Sequence, residues 1–185
     1  MIKILEDIDI TDILSEYYKL DSNINWTQMG HKGKQTGLQY KLESDPWTGA
    51  WTGNNTDENG NKWTKESWQN AVGRNKGMEL TYDQLNPFFK DTIFEKLINR
   101  YKMYRTRLMW VSKMSCYSIH TDSTPRIHIP LITNPECYFV FKDGNSASLT
   151  YMEPGHVYWA DTRKKHTFMN CSEMERLHLV GIVAD

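Results

Sequence analysis

Apolar and polar positions alternate with period two through most of the second half of the chain. The runs "RLMWVSKMSCYSIH", "RIHIPLI", "CYFVFK", "SLTYM", "HVYWA", "HTFMN" and "RLHLVGIVA" each carry the pattern. Successive side chains of a strand point to opposite faces, so this alternation predicts half-buried strands. Turn residues separate the runs: Ser123-Thr124-Pro125, Asn134-Pro135, Asp143-Gly144-Asn145 and Pro154-Gly155. Short strands at this spacing predict a closed antiparallel sandwich or jelly roll.

The first hundred residues follow other patterns. Ile2 to Leu5 predicts a short strand, and a short helix follows with Thr11 as its N-cap before Asp12. Residues 36 to 42, "TGLQYKL", alternate like a strand. The best helix spans residues 87 to 101, "PFFKDTIFEKLINRY", with Asn86 as cap and Pro87 at the first helical position. Phe94, Leu97, Ile98 and Tyr101 recur at three- and four-residue steps and form one apolar stripe, which predicts a helix backing a sheet. Residues 45 to 77 differ again, being rich in Gly, Asn, Thr and Trp. They hold Trp47, Trp51, Trp63 and Trp68, and the pair Asn59-Gly60 that favours a type I′ hairpin turn. The indoles would either cover the main sheet or form a flap over a pocket, and the pattern does not separate the two.

At 185 residues the chain has the length of one domain with a substantial core. A formal net charge of -1 gives no electrostatic case for nucleic acid or an anionic membrane as partner, and neither is expected. Acidic residues interrupt the apolar N-terminal stretch, and no run approaches the ~20 apolar residues of a membrane span. Cys116, Cys137 and Cys171 are widely spaced and form no CxxC pair, so they read as reduced thiols of a cytoplasmic protein. Asn, Lys, Ile and Met are common and Ala is scarce. That composition points to an AT-rich genome, and so to a microbe or a virus-infected host. Oligomeric state is not legible.

The chemistry concentrates in "SIHTDSTPRIHIPL" at residues 118 to 131. His120 and Asp122 are two positions apart, so on an extended segment they share a face and can grip one ion. A third ligand is needed from a later strand, and His156 and His166 are the candidates. His166 is the stronger, because it opens a strand directly after the turn "DTRKK". Two histidines and one carboxylate are the facial triad of non-haem Fe(II) oxygenases, whose open positions admit a bidentate 2-oxo acid and dioxygen. Arg176, ten positions after His166, would hold the far carboxylate of such an acid through a forked contact; its simpler role is a surface ion pair with Glu173 or Glu175. Arg126 and His128 share a face opposite Ile127, Ile129 and Leu131. His178 reads equally as a residue behind the site or a hydrogen-bonded core histidine. His156 reads as a strand start outside the metal site, His31 as a loop residue, and Arg163-Lys164-Lys165 as a solvated turn.

Residues 105 to 185 resemble the aspartyl/asparaginyl/proline hydroxylase family of Fe(II)/2-oxoglutarate-dependent dioxygenases, through "HTDSTPRIHIPLITN", "YMEPGHVYWADTRKKHTFMN" and "ERLHLV". The first hundred residues carry no such resemblance. It implies a mainly β fold with flanking helices, a double-stranded β-helix (jelly roll, cupin-like). It implies one oxygenase domain over 1–185, with an N-terminal helical and Trp-rich substrate side (1–104) and a metal- and cosubstrate-binding β core (105–185). His120, Asp122 and His166 would be catalytic iron ligands. Arg176 would bind the 2-oxoglutarate C5 carboxylate, and Arg126 and His128 its C1 end. Fe(II), 2-oxoglutarate and O2 would be the cofactors, and succinate and CO2 would be released. The substrate would be an amino acid, free or as an Asp, Asn or Pro residue of a peptide. The animal branch of the family has glycine where this chain has Asp122, which weakens transfer of its peptide substrate. The serine that helps hold 2-oxoglutarate in that branch has no obvious counterpart beyond Ser112 or Ser118. The rival readings are a non-catalytic cupin-like metal-binding module and a zinc-dependent hydrolase with the same ligands.

Overall fold

The period-two runs close into two facing sheets. The structure is a computed structural model describing residues 1–47 and 79–184. Its strands are β1 (Ile2–Asp7), β2 (Thr27–Gln28), β3 (Gly33–Gly37), β4 (Gln39–Tyr40), β5 (Gln84–Leu85), β6 (Tyr104–Val111), β7 (Ser115–Cys116), β8 (Arg126–Ile132), β9 (Cys137–Asp143), β10 (Ser146–Tyr151), β11 (His156–Ala160), β12 (His166–Asn170) and β13 (Arg176–Ile182). The larger sheet runs β1-β11-β8-β13-β6-β3-β2 and the smaller β10-β9-β12-β7, while β4 and β5 pair separately. All the pairings within the two sheets are antiparallel. The architecture is a double-stranded β-helix.

Alternation gives the larger sheet two unlike faces. Ile127, Ile129, Leu131, Leu177, Leu179 and Leu108 point outward and are buried under the helices α1 (Thr11–Leu20) and α2 (Ile93–Tyr101). Phe94, Leu97 and Ile98 of α2 fill that layer. Each such side chain contributes about 2 kcal/mol by leaving water. The inward face meets the smaller sheet, where Val111, Cys137, Phe139, Met152, Tyr158, Ala160 and Phe168 form a second cluster. Arg126, His128, Arg176 and His178 are buried as well.

The N-terminal strands enter the same sheet. β1 covers the edge of β11, and β3 covers β6, so both ends of the larger sheet are closed by residues before 40. Capping differs from expectation at both helices. Thr11 is the first helical residue and Ile10 the N-cap, while Asp9, one position earlier, accepts the Thr11 N–H at its Oδ1 at 2.8 Å. Asn86 caps only a single 3-10 turn, Pro87–Phe89, its Oδ1 accepting from the Phe88 N–H at 3.1 Å. The chain then extends at Lys90 and turns left-handed at Asp91 before α2 begins at Ile93. Glu95 reaches back to accept the Asp91 N–H at 2.7 Å, which stabilises the later start. The predicted strand at 36–42 breaks at Leu38, whose N–H bonds the Thr106 carbonyl at 2.8 Å. Trp47 packs on Phe88 at 5.1 Å between ring centroids. Trp51, Trp63, Trp68 and Asn59-Gly60 lie outside the described residues. Cys116, Cys137 and Cys171 are free thiols. Among the described residues no helix is long and apolar enough to cross a membrane.

Gly33 has φ 132° where β3 closes on β6, and a Cβ there would overlap the Trp110 carbonyl. Gly144, in the β9–β10 turn, has φ 54° with nothing within 4 Å of a built Cβ. Gly33→Ala should lower the unfolding free energy by about 3 kcal/mol and Gly144→Ala by about 1 kcal/mol. Urea titration checks the difference; equal losses would mean that the β3–β6 approach relaxes.

Candidate metal centre

The segment after β7 stays paired with β12. The Tyr117 N–H bonds the Phe168 carbonyl at 3.1 Å, and His120 and His166 exchange two backbone hydrogen bonds, of 2.9 and 2.8 Å. Directly opposed residues of an antiparallel bridge present their side chains to one side. Asp122, two positions on, is held by its N–H to the Thr162 carbonyl at 2.8 Å. These backbone bonds bring one ligand-capable atom from each of His120, Asp122 and His166 within 4.8 Å of the others. His120 Nε2 is 3.8 Å from Asp122 Oδ1, and His166 Nε2 is 3.5 Å from Asp122 Oδ2. His120 faces solvent, while Asp122 and His166 are sheltered.

Both imidazoles are oriented by backbone. His120 Nδ1 lies 2.7 Å from the Ser118 carbonyl and His166 Nδ1 lies 2.9 Å from the Lys164 carbonyl. A carbonyl only accepts, so Nδ1 carries the hydrogen and each Nε2 turns a lone pair toward the cluster. Phe139 stacks on His166 with centroids 5.3 Å apart and planes 8° from parallel. Burial pushes the His166 pKa down, which favours the neutral form a metal needs. Burial alone would push the Asp122 carboxyl up, but Arg126, through its charge and its hydrogen bond, holds it far below the usual carboxylate range. Two imidazole nitrogens and an ionised carboxylate fit a divalent first-row metal.

Asp122 belongs to a buried charge network that spacing does not reveal. Arg126 Nε donates to Asp122 Oδ2 at 2.6 Å. Arg126 Nη2 also reaches Glu79 Oε1 at 3.4 Å, and Arg105 forms an ion pair with the same carboxylate. Ser123 and Thr124 hydroxyls donate to Glu79 Oε2 at 2.7 and 2.9 Å. Glu79 is therefore a site residue the sequence does not announce, standing 47 positions before Arg126. Arg126, expected at the cosubstrate, spends Nε and Nη2 on these carboxylates, and its Nη1 has no partner.

Deeper in the interior, His128 and His178 lie 6.0 Å apart, with no hydrogen-bond partner on any ring nitrogen. Burial holds both neutral. Arg176 is 3 % exposed, with Nε and Nη1 unpartnered, and its guanidinium lies 3.3 Å from the Phe168 ring centroid. Burial lowers its pKa to about 9, so it stays charged at neutral pH. Among the described residues it pairs with no carboxylate, and Glu173 pairs instead with Lys113 at 3.4 Å. His156 opens β11 outside the cluster, with Nδ1 2.7 Å from Asp7 Oδ1. His31 sits in a 3-10 turn, Gly30–Lys32.

No family model matches the sequence, and no curated protein matches it. Solved structures do resemble the fold. HygX from Streptomyces hygroscopicus, with nickel, 2-oxoglutarate and hygromycin B bound, aligns with TM-score 0.53 and 9% identity over 97% of this chain and 81% of that one. A 2OG-Fe(II) oxygenase family oxidoreductase from Burkholderia pseudomallei aligns with TM-score 0.51 and 15% identity over 91% and 76%. The non-heme alpha ketoglutarate dependent epimerase SnoN from nogalamycin biosynthesis aligns with TM-score 0.51 and 10% identity over 95% and 72%. At these identities the likeness shows a common double-stranded β-helix.

Glu79 is held below its usual pKa: burial opposes its ionisation, and Arg126 and Arg105 outweigh it. A carboxyl that titrates lower when folded stabilises fully above its unfolded value, near pH 4, and loses that contribution as pH falls through the folded value. Glu79→Gln should cost about 3 kcal/mol at pH 7, since it strips a buried pair of one partner. Its stability should also fall less steeply than wild type between roughly pH 5 and pH 3. Urea melts across that range check both, and parallel acid profiles would remove Glu79 from the network.

Proposed function

We propose that the chain is an Fe(II)- and 2-oxoglutarate-dependent oxygenase that hydroxylates a C–H bond of an amino acid, either free or as an Asp, Asn or Pro residue of a peptide. The observation that carries this reading is Arg176, a buried guanidinium without a carboxylate partner among the described residues, inside the same barrel as the His120–Asp122–His166 cluster. Burying an unpaired charge costs several kcal/mol, so a barrel that served only as a scaffold would gain from an apolar residue there. A 2-oxo diacid, one end at the metal and the other at Arg176, would satisfy it. A simple hydrolase has no such second anion to place. The bound nickel and 2-oxoglutarate of HygX, a protein of like fold, support the reading.

His120, Asp122 and His166 would hold the iron. When bound, Fe(II) supplies the oxidising chemistry, in which dioxygen and 2-oxoglutarate yield succinate, CO2 and the substrate alcohol. The chain's own residues do the rest. Arg126 keeps Asp122 ionised and holds its Oδ2 by a hydrogen bond. Phe139 and the Lys164 carbonyl lock the His166 ring. Arg126 Nη1 and His128, both unpartnered, would meet the near carboxylate of the cosubstrate, and Arg176 the far one. Phe139, Phe168 and Tyr158 line the interior and exclude water.

Purified protein with Fe(II), ascorbate and 2-oxoglutarate should release succinate slowly even without substrate. His166→Ala should lose stoichiometric iron. Arg176→Met should weaken 2-oxoglutarate binding by about 10²-fold without lowering the melting temperature of the metal-free protein, because the charge it removes is uncompensated there. Iron-loaded protein that neither binds nor consumes 2-oxoglutarate would overturn the reading, and tight zinc without 2-oxoglutarate affinity would favour a hydrolase.

A further inference from the structure

Arg107 takes no part in the reading above, yet it has the same unusual surroundings as Arg176. It lies on β6, where Arg105 adopts φ 46° and the register with β13 shifts between Val180 and Ile182. That irregularity separates the two arginines. Arg105 turns to Glu79, while Arg107 stays in the ladder opposite Val180. Val180 is in turn opposite His128, and His128 opposite Tyr158. Directly opposed residues share a face, so Arg107 stands in one cross-strand row with His128, on the inward side of the larger sheet.

The side chain is 8 % exposed. Its described hydrogen bond runs from Nη1 to Gln35 Oε1, a neutral acceptor at 3.3 Å, and Nε has no partner. No carboxylate pairs with it among the described residues: Glu79 is taken by Arg105 and Arg126, and Asp122 by Arg126. Burial raises the pKa of the Tyr117 phenol, and the charges of Arg176 and Arg107 both oppose the rise. They sit at different depths. Along β13 the inward positions run Val180, His178, Arg176, so Arg107 is level with the first and Arg176 lies two inward positions further. A five-carbon diacid has two carboxylates, and the proposed function uses one at the metal and one at Arg176. Arg107 is left for a third.

We infer that Arg107 binds a carboxylate of the prime substrate, which makes the substrate an acid: a free amino acid held by its α-carboxylate, or a peptide held by an acidic side chain. The inference rests on the proposed oxygenase reading. A guanidinium charge in a dry site favours a forked contact with a carboxylate over any neutral group.

The test uses the full chain loaded with Ni(II) and 2-oxoglutarate for binding by calorimetry, and with Fe(II) for succinate release. The probes are the free amino acids, their carboxamides, and N-acetylated, C-amidated peptides containing Asp or Glu beside the matching Asn or Gln peptides. At least one acid should bind and accelerate succinate release, with its amide partner at least about tenfold weaker. Free acids active with acidic peptides inert identify an α-carboxylate, and the reverse identifies a side chain. Arg107→Gln should weaken the active acid about tenfold or more, Arg107→Lys should recover part of that, and 2-oxoglutarate affinity should stay within about twofold in both. Melting curves confirm that the variants fold, and the acid-against-amide comparison needs only wild type. Acids no better than amides, or no acid that binds, overturn the inference. A tenfold loss of 2-oxoglutarate affinity in Arg107→Gln also overturns it, by assigning the residue to the cosubstrate. Wild-type protein that fails to bind 2-oxoglutarate sinks the oxygenase reading instead, and the acid-against-amide comparison on metal-loaded protein then still decides Arg107.

Discussion

Four guanidinium groups, those of Arg105, Arg107, Arg126 and Arg176, are buried in a small β-barrel, and the rest of the structure depends on how that charge is accommodated. Among the described residues the carboxylates that pair with them are Glu79 and Asp122. Arg126 sits between the two and couples the His120–Asp122–His166 cluster to the turn at Glu79–Thr81. The pairing keeps Asp122 ionised in a sheltered place where burial alone would protonate it. The same interaction thus holds the network together and keeps Asp122 in the form that the proposed metal site needs.

The sheets make this tolerable. The outer face of the larger sheet is mostly apolar at its centre and covered by α1 and α2, so much of the hydrophobic contribution to stability comes from that layer. The inner layer is left free to carry arginine and histidine among aromatic rings, with Phe168 against Arg176 and Phe139 against His166. Polar atoms without partners concentrate there, on His128, His178, Arg107 and Arg176. An interior of that kind is suboptimal for the free protein and gains from ligands that satisfy it, so occupancy and stability rise together.

Much of the β architecture was legible in the chain. The alternating runs from residue 104 onward became β6 to β13, with strand ends close to the turn residues that bound them. His120, Asp122 and His166 do converge, because two positions along an extended segment return a side chain to the same face. Where helices begin was less legible. Asn86 and Pro87 form a sound N-terminal signal, yet Asp91 in the left-handed region ends the turn after one repeat, and Glu95 stabilises a second start. The enrolment of β1 and β3 in the larger sheet depends on the edges of β11 and β6, which are far away in sequence.

Local pattern therefore determined which residues alternate, which faces are apolar and which polar groups share a face, since these follow from backbone geometry over a few residues. Tertiary structure alone decided which charges meet. Nothing near Arg126 foretells Glu79, and nothing in "YRTRLMW" tells Arg105, which finds that carboxylate, from Arg107, which finds Gln35. Electrostatic pairing acts through space across strands brought together by sheet closure, and a one-residue irregularity in β6 is enough to send two neighbouring arginines to different partners.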